Sequence, residues 1–118
     1  MIKITRKNFD IKTGEIYEIL PFNEIFSDAK IRPIPSDSII MEKKFRNCSA
    51  EIIETESGYY LRSYWTIIAY IDKKTKICYD ALRVVYGYTA TSSQHISKFI
   101  HDYKAIAHFA YVYSKYDD

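Results

Sequence analysis

The chain is poor in the residues that punctuate or staple a fold. Of its 118 residues only three are glycine, three proline and two cysteine. So few breakers exclude a low-complexity linker or a collagen-like repeat, which need glycine and proline in bulk. Cys48 and Cys78 stand thirty residues apart and form no CxxC pair, which excludes a disulfide framework. A reduced pair of small apolar side chains is expected. His95, His101 and His108 complete no zinc-ligand spacing with them. No apolar run approaches the roughly 20 residues that a bilayer-spanning helix needs. The opening MIKITRKNFDIK lacks the apolar core of a secretion signal, so a cytoplasmic protein without a membrane anchor is expected. Charge of neither sign dominates: 17 Lys and Arg face 15 Asp and Glu, for a formal net charge of +2. That excludes a strongly acidic nucleic-acid mimic, and it supplies no basic excess that would by itself point to DNA.

What is present is the composition of a folded chain, 47% hydrophobic and 27% charged. A domain of this size buries about two-thirds of its unfolded surface, enough for one core. One domain over residues 1–118 is expected, with strands and a short helix in 1–38 and a sheet-and-helix module in 39–118. The proline-containing RPIPSD, residues 32–37, is the linker candidate between them. Tyrosine is in excess, at 12 residues. It favours strands and interfaces alike, so its count alone chooses neither.

Residues 2–7 alternate apolar and polar as a short strand. A turn at Thr13-Gly14 leads to a second strand, Glu15 to Leu20, which Pro21 ends. FNEIFSDAKI then offers a short helix, with Asn23 as cap, Glu24 in its first turn, and Ile25, Phe26 and Ala29 at helical spacing. SIIMEKKFR and CSAEIIETE read as strands, followed by a turn at Ser57-Gly58. The longest predicted strand runs from Tyr59 to Ile71. Its odd positions, among them Leu61, Trp65, Ile67 and Ala69, are expected in the core; its even positions, Tyr60, Arg62, Tyr64, Thr66, Ile68 and Tyr70, form an amphipathic outer face. DKKT turns the chain, and KICYDALRVVY returns as another strand. Thr91 with Gln94 matches a capping box. The stripe Ile96, Phe99, Ile100, Tyr103 predicts a helix from Ser92 to about Lys104, continued in preference to a strand through AHFAYVY. The fold class that follows is α+β. A twisted antiparallel sheet of four to six strands carries one major C-terminal helix on one face, with a short N-terminal helix besides.

The outer face supplies the candidate site. Tyr60, Arg62, Tyr64 and Tyr70, with Lys43, Lys44, Arg46 and Lys74, are the expected partner-binding residues, because rigid aromatics and arginine dominate interface energetics. The same set would also serve as a stacking platform flanked by cations for single-stranded nucleic acid. Thr91, Ser92 and Ser93 make a weak anion site at a helix start, although helix initiation alone accounts for the hydroxyls. Ser97 and His101, at i and i+4, lack an orienting acid and an oxyanion site. No catalysis, cofactor or metal is therefore expected. An exposed strand edge leaves a homodimer open.

LRSYWTIIAYID followed by YGYTATSSQHISKFI, within Leu61–Ile100, resembles a recurrent module of small accessory proteins from tailed phages of Gram-positive bacteria. The residues that carry it are Ser63, Tyr64, Thr66, Ala69, Tyr70, Tyr88, Thr89, Thr91, Ser92, His95, Ile96 and Phe99, with Ser92 where a second threonine is usual. It covers about a third of the chain, and residues 1–50 lie outside it. The resemblance implies a phage protein that works in the host cytoplasm. There it would inhibit a host protein such as a CRISPR effector or another nuclease, as an anti-CRISPR or other counter-defence factor. In the module His95 is expected to lock the helix start to the preceding strand.

Overall fold

The computed structural model describes residues 8–26, 34, 38–46, 48–85 and 90–114. The strand expected at 2–7, Ala29, most of the 32–37 linker, and Tyr88 and Thr89 lie outside the described residues.

Six strands follow one another across a single sheet: β1 (Ile39–Lys44), β2 (Ala50–Thr55), β3 (Gly58–Ser63), β4 (Thr66–Asp72), β5 (Ile77–Asp80) and β6 (Phe109–Val112). The first five form an antiparallel meander, joined by short turns. The helices are α1 (Phe22–Phe26), α2 (Leu82–Val85) and α3 (Ala90–Asp102). The α+β class, the main helix and the short N-terminal helix are as the sequence predicts. Asp80 ends β5 and its carboxylate accepts the Leu82 N–H at 2.9 Å, so the strand predicted to run on to Tyr86 turns into α2 instead.

The sheet is mixed, not purely antiparallel. β6 pairs with β5 in parallel, and α2 and α3 supply the long crossover that a parallel neighbour requires. The helix predicted through AHFAYVY ends at Asp102. His108 and Phe109 both donate to the Lys76 carbonyl, at 2.8 and 3.2 Å, and so guide the chain onto the open edge of β5. There the aromatic and β-branched side chains of FAYV suit a strand better than another helical turn. At its other end α3 begins at Ala90, so Thr91 lies in the first turn instead of capping it.

The segment predicted as one strand from Tyr59 to Ile71 is a hairpin. Strand β3 stops at Ser63, Tyr64 and Trp65 turn, and β4 begins at Thr66. Pairing also slips: Leu61 faces Ala69 but Arg62 faces Ile67, which leaves Ile68 as a bulged residue. The bulge breaks the odd–even alternation. Ile68, Ala69 and Ile71 all join the cluster under α3, together with Leu61, Ala50, Ile52, Ile96 and Phe99. Ile67 and Tyr70 go to the opposite face.

That opposite face is covered too, which corrects the expectation of a free outer surface. Ile25 and Phe26 of α1 pack with Ile53, Ile67, Tyr70, Tyr79 and Tyr113, and Tyr17, Leu20 and Phe22 lie against them. Tyrosine does the fastening. The Tyr79 hydroxyl accepts from Leu20 N–H at 3.3 Å and donates to the Glu18 carbonyl at 3.2 Å, and the Tyr113 hydroxyl donates to the Leu20 carbonyl. Residues 17–20 are irregular, so these phenols meet backbone groups that no ladder serves. The strand predicted for Glu15–Leu20 is reduced to a single bridge, Phe9 to Ile16. The turn before it holds, with Gly14 at φ +75° and its N–H bonded to Asp10. Among the described residues no helix is long and apolar enough to cross a membrane.

Candidate functional site

The corner where β3 turns into β4 departs from local preference. A two-residue hairpin loop needs left-handed backbone, which Asn-Gly supplies at least cost. Here Tyr64 has φ 52° and Trp65 φ 152°. Non-glycine residues held there cost about 1–3 kcal/mol each and persist only where their surroundings impose them. Both rings are also left outside, Tyr64 at 56% and Trp65 at 69% exposure.

The surroundings that impose the turn are identifiable. Tyr64 N–H donates to the Ser49 carbonyl at 3.1 Å, tying the turn to the β1–β2 connection. Ser63, just before the turn, is buried and shares a hydrogen bond of 2.8 Å with His95 Nδ1; its hydroxyl also lies 3.4 Å from that of Ser92. The Tyr64 ring lies 6.1 Å from the His95 ring, tilted by 36°. Burial, reinforced by Lys98, lowers the His95 pKa and keeps the ring neutral at pH 7. The imidazole joins α3 to the end of β3, the positioning role that the sequence predicts for it.

Two clefts share Lys44, and the first of them includes the turn. One of about 450 Å³ is lined by Tyr64, Trp65, Lys44, Cys48, Ser49, Ala50 and Glu51. The other, of about 350 Å³, is lined by Lys43, Lys44, Phe45, Arg46, Asp102 and Tyr103. Arg46 forms a two-pronged ion pair with Asp102 and holds its carboxyl down to a pKa of about 2. Lys43 and Lys44 are exposed at the end of edge strand β1.

Four of the expected partner-binding residues therefore lie at one end of the sheet, Tyr64 in the first cleft, Lys43 and Arg46 in the second, and Lys44 in both. The others do not join them. Tyr70 is 2% exposed, stacked with Tyr79 and bonded through its hydroxyl to Asp72 at 3.0 Å; as a core side chain on the face that α1 covers, it offers no docking surface. Tyr60 is half-buried against Tyr70, with ring centroids 4.6 Å apart. Arg62 is half-buried between Glu51 at 3.0 Å and Glu42 at 3.5 Å. Lys74 is exposed in the β4–β5 turn, at the far end of β4 from the corner. Of the hydroxyls at the start of α3, Ser92 points inward to Ser63, Ser93 is half-buried and Thr91 is exposed, so they do not present one anion cradle.

Trp65 is the residue that sequence reasoning misplaced, since period-two counting sends it to the core. One signal could have found it. A strand of thirteen residues is about twice the usual length, and Ser63 and Thr66 bracket an aromatic pair at its middle. Ser97 and His101 are both exposed on α3, with His101 Nδ1 3.4 Å from Asp102. Among the described residues no three of His, Cys, Asp and Glu gather as a metal site. Cys48 and Cys78 are free; Cys78 is buried, but Cys48 is only partly so and borders the first cleft. No protein-family model, curated protein or solved structure matches the chain.

Proposed function

We propose that the protein is a non-catalytic interaction protein that grips its partner with the Tyr64–Trp65 turn. The observation that carries this reading is the pairing of backbone strain with aromatic exposure at one hairpin. Neither feature helps the monomer: a glycine-type turn would relieve the strain, and a polar residue would sit there more comfortably. Large aromatics fixed in place before contact lose little entropy on binding, which suits them as anchors. Ser63, His95 and Ser49 do the fixing.

The resemblance to phage accessory proteins supplies the partner class: a host defence or nucleic-acid-processing enzyme such as a CRISPR effector, inhibited by occupation of its surface. A second reading, a small single-stranded nucleic-acid binder, is favoured by Lys44 lining the cleft of the exposed aromatics, with Lys43 next to it in β1.

A pull-down from host lysate tests both readings, with wild type, Tyr64→Ala and Trp65→Ala, each with and without nuclease. A nuclease-resistant protein partner, held roughly 10- to 100-fold less well by either variant at unchanged fold, supports the lead. Material that disappears with nuclease, with affinity falling steeply between low and moderate salt, supports the alternative. Retention that is indifferent to both substitutions removes the turn from the interface.

A further inference from the structure

The charges around the turn do not balance: four cations, Lys43, Lys44, Arg46 and Arg62, stand with three carboxylates, Glu42, Glu51 and Asp102. Arg46 is paired with Asp102, and the single Arg62 guanidinium is shared between Glu51 and Glu42, nearer to Glu51. Among the described residues Lys43 and Lys44 have no carboxylate partner. They occupy successive positions of β1, opposite Ile52 and Glu51, so their side chains leave opposite faces of the edge strand. Lys44 lines both clefts and Lys43 the second.

We infer that the partner presents an acidic protein segment carrying an apolar or aromatic anchor: the anchor enters the Tyr64–Trp65 cleft and neighbouring carboxylates reach Lys44 and Lys43 across the edge of β1. This rests on the reading of the turn as the gripping element and names the chemistry it grips. A polynucleotide fits less well. A phosphate backbone needs a continuous cationic track, whereas here two unpaired lysines stand among Glu42, Glu51 and Asp102. An acidic peptide needs only the two cations and the apolar cleft, and opposite charge at the rim adds register and a faster encounter.

Selection of a displayed random dodecapeptide library on the full chain tests the inference. Trp65 is the sole tryptophan, so its emission reports on occupancy of the cleft directly. Enriched peptides should share Asp or Glu next to an aromatic or aliphatic residue and should shift Trp65 emission. They should bind at least tenfold more weakly to a Lys43→Glu/Lys44→Glu variant, and to Trp65→Ala by calorimetry. Both lysines are exposed, so the charge reversal should leave the circular dichroism unchanged. A bound peptide should also slow alkylation of Cys48, while buried Cys78 stays silent. Peptides that depend on Trp65 but carry no acidic bias, or ignore the lysine variants, overturn the acidic partner and leave the turn as the grip. No enrichment, or enrichment indifferent to Trp65, overturns both. Oligothymidylate binding tighter than any peptide overturns the inference in favour of nucleic acid.

Discussion

Strand β4 is buried at all seven of its positions, whereas Tyr64 and Trp65, the two residues just before it, are mostly exposed on positive-φ backbone. The strand is sandwiched between α3 and the N-terminal segment and makes the stability. The turn uses some of it, held in place by a buried Ser63–His95 bond and by the Ser49 carbonyl. Such a division suits an interaction protein. A rigid, well-packed base can hold a local conformation that would not survive alone.

The comparison breaks most severely in the strand. Ile67→Ala removes a fully buried side chain from the face shared with Tyr70 and Tyr79, and unfolding by denaturant should show a loss of about 2–5 kcal/mol. Gly58→Ala comes next. A Cβ there would lie 2.0 Å from the Ile71 carbonyl oxygen and 2.7 Å from the Tyr70 ring, so β3 and β4 must part. Overpacking of this kind costs about 1–3 kcal/mol, read as a fall in Tm and in the denaturant midpoint.

At the turn the sign reverses. Replacing the pair by Tyr64→Asn with Trp65→Gly gives the backbone the residues it prefers, and should stabilise the isolated protein by about 1 kcal/mol while abolishing partner binding. A double variant that loses stability would show that the aromatic rings hold the hairpin together and were never released for contact.

The smallest effect is a pH dependence at the joint between turn and helix. The pKa of His95 is lower in the folded chain than in the unfolded one, where it is about 6.5. Between the two values the unfolded state binds more protons, so this contribution is complete above about pH 6.5 and is lost as pH falls toward the folded value. Thermal melts from pH 7.5 to 5 should show wild type losing more than His95→Gln. Parallel slopes would mean that other groups carry the acid sensitivity.

Much of this architecture was legible in the chain. β1, β2, the DKKT turn and the start of β5 fall where alternation and turn residues place them, and Ile96 and Phe99 of α3 are buried as their stripe predicts. Tyr64, Lys43, Lys44 and Arg46 were readable as interface residue types. Their arrangement was not, because it depends on the hairpin, and with no Asn or Gly at the turn only the length of the Tyr59–Ile71 run and its Ser63 and Thr66 hinted at a fold-back. The parity of Ile67 and Ile68 was equally hidden. A bulge is set by pairing with a partner strand, and nothing in residues 66–72 alone marks it.

The amino-acid pattern by itself determined the class of fold, the first two strands of the sheet and the amphipathic helix, since alternation and helical spacing are local properties written residue by residue. The tertiary structure alone decided that AHFAYVY would become β6, since a strand there needs the open edge of β5. It alone decided that Tyr79 and Tyr113 would face inward: their rings pack on the sheet and their hydroxyls satisfy Glu18 and Leu20, a pairing across more than fifty residues of chain. And it alone placed Trp65 in the open, because burial is a matter of what covers a position, and β4 was covered from both sides while the turn before it was left bare.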